Sequence, residues 1–267
     1  MKGRIAGAVL TVLMGAIMIT GCSSRTKDDS GDMLNRIQDK GKITIAMEGT
    51  WAPWTYHDEN DELTGYDVEL GKKIAEKLGV EAEFVEGEWD GLFAGLDVGR
   101  YDIVINGVDV TPERSEKYVF SEPYAYIHTV IVTRSDNDTI NSFEDLNGKT
   151  TANSNASTYM LLAEEYGAKV LGVDSLDETM QMVLSGRADA TLNAEVSVSD
   201  YTSVHPEAEL RIAASTPEAN QVAIPLKKGE DTETLRKSID NAIKELKQSG
   251  ELAELSMKYF GIDLTRE

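Results

Sequence analysis

Cysteine and histidine are scarce: one Cys, at position 22, and three His, at 57, 128 and 205, in 267 residues. A lone cysteine excludes an intrachain disulfide and a thiolate metal cluster, and no two histidines stand at ligand spacing, which argues against a histidine-built metal site. Basic residues are also few, 26 Lys and Arg against 47 Asp and Glu, for a formal net charge of −21. Nucleic-acid backbones and anionic lipid surfaces are both held by clustered Lys and Arg, so neither is expected as a partner through charge. No apolar run reaches the roughly 20 residues of a spanning helix. No P-loop, G-x-G-x-x-G, G-x-S-x-G or H-E-x-x-H occurs, so no cofactor is implied. What remains is an ordinary globular balance, 41% hydrophobic and 27% charged, long enough to bury a core as one large domain or two small ones.

The first residues read as an address. Lys2 and Arg4 precede an apolar run over 5–19 interrupted only by Thr11, the charged n-region and short h-region of a secretory signal. The run ends in Ile19-Thr20-Gly21-Cys22, which resembles the lipobox of bacterial lipoproteins. There the cysteine becomes the new N-terminus and its thiol carries the lipid. A signal over 1–21 and a polar tether over 22–32 follow from this. The expected location is the extracytoplasmic face of the cell membrane, with the protein lipid-anchored through Cys22. So acidic a chain needs acyl chains to stay on a membrane.

From Met33 the pattern alternates strand and helix. The spacing predicts a strand over 42–47, a helix over 66–78 stopped by Gly79, and a strand over 81–86. A short device then occurs twice: helix, Gly99-Arg100-Tyr101-Asp102, strand; and again helix, Gly186-Arg187-Ala188-Asp189, strand. In each, Gly closes a helix and Asp opens a strand. Two lobes built alike are expected, each a largely parallel sheet under helices. Lobe 1 spans 33–130 and 226–267, lobe 2 spans 135–220, and hinge crossings lie at 131–134 and 221–225. Two connections between two lobes make a clamp that can close on a ligand.

Several residues carry candidate chemistry. Thr111-Pro112-Glu113-Arg114 starts a helix after a strand, with Thr as N-cap and Pro at the first helical position. An Arg in a first helical turn faces an unfavourable dipole and calls for an anion, which its fork suits; a surface pairing with Glu113, Glu116 or Glu122 is the alternative. Trp51 and Trp89 follow strand ends, where open α/β sheets bind ligands, and are read as walls of a site. Trp54 and Tyr56 are read as core. Ser157 and Thr158 enter a helix and can cap it, bind a ligand, or both. His57 and His205 are read as exposed.

These pieces together resemble the family 3 extracellular solute-binding proteins, the receptors of polar amino-acid ABC importers. The likeness runs from Leu34 to Gly261. It includes Glu48-Gly49-Thr50-Trp51-Ala52-Pro53-Trp54, Leu63-Thr64-Gly65-Tyr66-Asp67-Val68, Trp89-Asp90-Gly91-Leu92, Thr111-Pro112-Glu113-Arg114, Phe120-Ser121-Glu122-Pro123-Tyr124 and Tyr259-Phe260-Gly261. The resemblance implies a bilobal α/β fold of the type II periplasmic-binding-protein kind. It also implies that Trp51 and Trp89 sandwich the ligand, and that Arg114 holds its α-carboxylate with help from the strand end at Asn106, Gly107 and Asp109. Ser157 and Thr158 contact that carboxylate from the other lobe, and Glu48 reads the side chain or ammonium. Two departures stand out: Asp109 replaces the family's usual Ser or Thr, and Ala194 stands where an ammonium-binding Asp is common. Ammonium binding is therefore expected to have moved to Asp109 or Glu195.

The stretch Glu48-Gly49-Thr50 and the loop from Thr151 to Ser157 look most like the cystine-binding branch. The expectation is thus a non-enzymatic, monomeric receptor for an amino acid, with L-cystine foremost, delivering it to an ABC permease and its ATPase. A cyclohexadienyl dehydratase-like enzyme on the same fold, and a ligand sensor acting through a partner, are the alternatives.

Overall fold

The computed structural model describes residues 31–266. The expected signal, Cys22 and the tether up to residue 30 lie outside the described residues.

The first sheet grows around the strand Lys42–Met47. It runs parallel to Glu81–Glu86 on one side and to Ile103–Val104 on the other. Its side chains alternate faces, as a strand must. Ile43, Ile45 and Met47 join Leu70, Ile74, Leu235 and Ile239 in one apolar cluster, while Ala46 joins Leu92, Leu96 and Val104 in another. A strand apolar on both faces has to be covered twice. The helices Tyr66–Leu78, Glu233–Ser249 and Glu251–Phe260 cover the first face, and Trp89–Asp97 the second. Gly79 closes Tyr66–Leu78 in the left-handed conformation at φ 73°, as its position predicts.

The second sheet centres on Thr129–Arg134, which is antiparallel to both Thr191–Ala194 and Leu210–Ser215. Thr150–Ser154 pairs in parallel with Lys169–Val173, and Thr151 bridges in parallel to Ala190. The helices Thr158–Glu165, Leu176–Leu184 and Glu195–Val204 pack around it. This sheet is mixed, where a largely parallel one is expected from the sequence.

Two boundaries move. The crossing expected at 131–134 is instead the buried centre of the second sheet. The run Ile131-Val132-Thr133 reads equally well as an extended connector or as a strand buried on both faces, and only the pairing partners separate the two. The extended pair between the sheets is Ala125–Ile127 with Asn220–Val222, antiparallel, joined by a bridge between Asp109 and Val222. The helix before Gly99, which the sequence spacing places at 92–98, begins at Trp89, which sets that ring at the mouth of the helix.

The repeated Gly-Arg-x-Asp device has one geometry in both halves. Gly99 and Gly186 both take φ 71°. Asp102 donates its N–H to the Thr44 carbonyl and accepts the Thr44 N–H on its carboxylate at 2.7 Å. Asp189 does the same with Thr150, whose N–H it accepts at 2.8 Å. Each Asp thereby ties the start of its own strand to the start of the neighbouring one.

Candidate functional site

Between the two sheets lies a cleft. Eight of the residues singled out from the sequence line it: Glu48, Trp51, Trp89, Gly107, Asp109, Arg114, Ser157 and Thr158.

Glu48 follows the central strand of the first sheet. It forms a reciprocal pair with Asn106, which accepts the Glu48 N–H at 2.8 Å and donates its own amide to the carboxylate at 2.6 Å. Asn106 is fully buried and supports Glu48 from behind rather than lining the cleft. Burial pushes the Glu48 carboxyl up to about 7, against the lowering effect of the Asn106 bond and with a small further rise from the charge of Glu88.

Trp51 is stacked on Trp54, with centroids 5.5 Å apart and planes 19° from parallel. Gly107 presses on the same ring at φ 55°, and a Cβ there would stand 2.4 Å from Trp51 Cζ3. Only glycine fits this position, for conformation and for space. Trp54 is core, as expected: it is fully buried and donates its indole N–H to Ser197 Oγ at 3.1 Å. Tyr56 is only half-buried.

Thr111 caps the helix Pro112–Lys117 by accepting the Arg114 N–H at 3.2 Å. Arg114 then turns inward. Its guanidinium donates to the Asp109 carbonyl at 3.0 Å and lies 5.2 Å from the ring centroids of both Trp89 and Phe93. Trp89 and Phe93 meet edge to face, 5.5 Å apart, so the two rings form a walled seat for the cation. Among the described residues Arg114 forms no ion pair, and Glu113, Glu116 and Glu122 leave it free for an anion from the cleft. Burial, only partly offset by the nearby Asp109 charge, disfavours its cationic form.

Asp109 is 4% exposed. One carboxylate oxygen accepts the Thr158 hydroxyl at 2.5 Å, a bond between the two lobes. The other oxygen has no partner. Burial raises the Asp109 carboxyl above the ordinary range, opposed by the Thr158 bond and the Arg114 charge. Ser157 caps its helix by accepting the Met160 N–H at 3.0 Å.

Glu195 does not join them. It opens the helix Glu195–Val204 with its side chain exposed, while its N–H donates to the His128 carbonyl at 3.0 Å. The strand end at Ala194 turns the following side chain to solvent, and Ala194 itself is fully buried. Five lining residues escaped the sequence reading: Thr50, Ser154, Tyr159, Leu176 and Asn193. Asn193 had a signal. It follows Asp189 by the same step as Asn106 follows Asp102, so the repeated device sets an Asn at the strand end of each lobe, lining the cleft in the second and supporting Glu48 from behind in the first. Leu176 has none, since it is one apolar residue in an amphipathic helix.

His57 is exposed and hydrogen-bonds Glu86 at 2.8 Å. No cluster of three metal-ligating side chains is found among the described residues. Among them also, no helix is long and apolar enough to cross a membrane.

Residues 43–262 match the model of the bacterial extracellular solute-binding proteins, family 3. The chain belongs to that family. Its fold is the bilobal α/β arrangement of periplasmic amino-acid-binding proteins. Among similar family members is the L-cystine-binding protein TcyA of Bacillus subtilis, 37% identical over 271 residues and 100% of both chains. The L-cystine solute receptor of Neisseria gonorrhoeae, solved in an unliganded open conformation, is 40% identical over 89% of this chain and 100% of its own, with a TM-score of 0.61. An ancestral arginine-binding protein bound to arginine is 34% identical over 83% of this chain and 99% of its own, with a TM-score of 0.78. The neighbour nearer in sequence is the further in shape.

Proposed function

We propose that this family 3 protein is the substrate-binding component of an amino-acid ABC importer, and that its ligand is L-cystine. One observation carries the reading: a half-buried Arg114 with no ion pair among the described residues, seated over Trp89 and facing a cleft that also holds two carboxyls. A guanidinium fork suits a carboxylate, and a zwitterion brings the matching cation. Cystine repeats that zwitterion at both ends of a disulfide, and thioether-like sulfur packs well on aromatic faces such as Trp51 and Trp89. The names of the cystine-binding relatives support the same ligand.

In this reading the ligand favours closure through its greater affinity for the closed form. The lobes turn about the paired strands Ala125–Ile127 and Asn220–Val222. The loaded monomer docks on a permease and its ATPase, on the extracytoplasmic face, tethered by lipid at Cys22. Cys22→Ser should release the protein from the membrane fraction; equal partitioning of wild type and variant would refute the anchor.

A thermal-shift screen of the twenty amino acids with cystine and glutathione tests the ligand. A ligand at 100 times its dissociation constant adds about 2.7 kcal/mol of stability. Cystine should give the largest shift. A larger shift from another amino acid would replace the ligand, and no shift from any would refute the receptor.

The cyclohexadienyl dehydratase reading has one observation in its favour, a cleft carboxyl at Glu48 raised to about 7, where general acids and bases work best. Conversion of prephenate or arogenate by the purified protein would establish it.

A further inference from the structure

Asp109 presents a combination found nowhere else in the cleft: a buried carboxylate with one oxygen bonded across the lobes and the other with no partner. An ionised oxygen buried without a partner is expensive, so the arrangement calls for a cation. Thr158 does not supply one, because its hydroxyl is neutral and serves the other oxygen. Arg114 is not bonded to it either, because its guanidinium donates to the Asp109 backbone carbonyl.

That bond fixes the spacing that matters. The α-carboxylate and α-ammonium of an amino acid hang on one carbon, so their receptors must be neighbours. Arg114 and Asp109 are neighbours, joined at 3.0 Å through the turn that connects them. Glu48 has no such bond to Arg114 and already accepts the Asn106 amide on its carboxylate. Glu195 is exposed on the far side of the strand end. The corresponding corner of the second lobe offers Asn193, whose side-chain oxygen accepts the Ala194 N–H at 2.9 Å, and then the apolar Ala194.

We propose that Asp109 is the α-ammonium receptor of this site, so that a single lobe holds both charges of the ligand's amino-acid head. The second lobe then contributes no charge to that head. Its Thr158 hydroxyl closes on the back of Asp109, and the bond between lobes forms over a ligand already fully docked on the first. Recognition of the head and closure over it are therefore separable steps, meeting at one carboxylate. The proposal rests on the amino-acid reading of the cleft, though not on cystine in particular.

Calorimetric titration of wild type, Asp109→Asn and Glu195→Gln tests it, with L-cystine and with dithiodipropionate, the same disulfide diacid without amino groups. Asp109→Asn should weaken cystine at least about thirty-fold, the scale of losing one member of a buried charge pair. It should leave dithiodipropionate unchanged or bound more tightly, because no ammonium is lost and a repelling carboxylate is gone. Glu195→Gln should alter neither by more than about two-fold, as expected of an exposed charge. Equal weakening of both ligands by Asp109→Asn would overturn the proposal, as would unchanged cystine affinity or a comparable loss in Glu195→Gln. If wild type fails to bind cystine, the cystine reading falls and the same comparison with L-arginine and guanidinovalerate decides Asp109. Binding of none of the four overturns both. The ligand-free Asp109→Asn protein should melt no lower than wild type. A clear fall would make Asp109 structural.

Discussion

The Arg114 guanidinium lies 5.2 Å from the Trp89 ring centroid and at the same distance from that of Phe93, the ring that Trp89 meets edge to face. The cation is thus held by ring faces and by one backbone carbonyl, and its remaining donors stay available to the cleft.

If Arg114 receives the ligand carboxylate, Arg114→Ala should weaken amino-acid binding by about 2–5 kcal/mol. Arg114→Lys should restore part, because a point charge cannot reproduce the fork. Calorimetry with the ligand found by thermal shift measures both. A folded Arg114→Ala protein that binds within three-fold of wild type would remove Arg114 from the site.

Gly107 joins the cleft backbone to the aromatic wall. Gly107→Ala must push a methyl into Trp51 from 2.4 Å while holding φ at 55°. Overpacking of this kind costs about 1–3 kcal/mol, and the left-handed backbone adds roughly another 1 kcal/mol. Thermal unfolding should show the loss, and ligand affinity should fall with it as Trp51 shifts. A variant as stable as wild type would mean that the ring has room to move.

The Glu48 carboxyl lies at about 7 in the folded protein against an ordinary 4.5. Between those two pH values the folded state keeps a proton that the unfolded state has released. Stability is then lost as pH rises from about 4.5 to 7, on the order of 3 kcal/mol for a shift this size. Asp67 is fully buried, is also raised to about 7, and adds a slope of the same sign. Glu48→Gln should therefore flatten part of the pH dependence of urea unfolding and leave the Asp67 part. An unchanged slope would mean that Glu48 is solvated in solution.

The two copies of the Asp device differ in burial: Asp102 is half-buried and Asp189 is exposed. Each accepts one backbone N–H on its carboxylate. Asp102→Ala should cost about 1–3 kcal/mol of stability, and Asp189→Ala less, because water can replace the lost acceptor. Chemical denaturation of the two variants gives the order directly. The reverse order would show that the bonds, within 0.1 Å of each other in length, are not governed by burial.

Much of this protein is written locally. The strand at 42–47, the helix closed by Gly79, the Thr111 cap over Arg114 and the twin Asp devices all follow from spacing and from the preferences of single residues for particular turns. Hydrophobic period, capping and left-handed glycine act within a few residues, so the sequence carries them openly. The cleft residues that stand beside such signals, Trp51, Trp89 and Arg114, were legible for the same reason, whereas Asp109 stood out only through the family resemblance. Other features depend on what a segment meets after folding. Whether 131–134 is a connector or the centre of a sheet turns on its pairing with Thr191–Ala194 and Leu210–Ser215, which are distant in the chain. Glu195 and Asp109 were equal candidates as carboxylates. Only the turn of the chain after Ala194 sends one to solvent and leaves the other buried beneath Thr158. Leu176 reaches the cleft through the packing of its helix, and nothing in its neighbours distinguishes it from any other core leucine. Local chemistry chose the elements and most of the reactive groups. Contacts between residues far apart in sequence decided which of those groups face the same space.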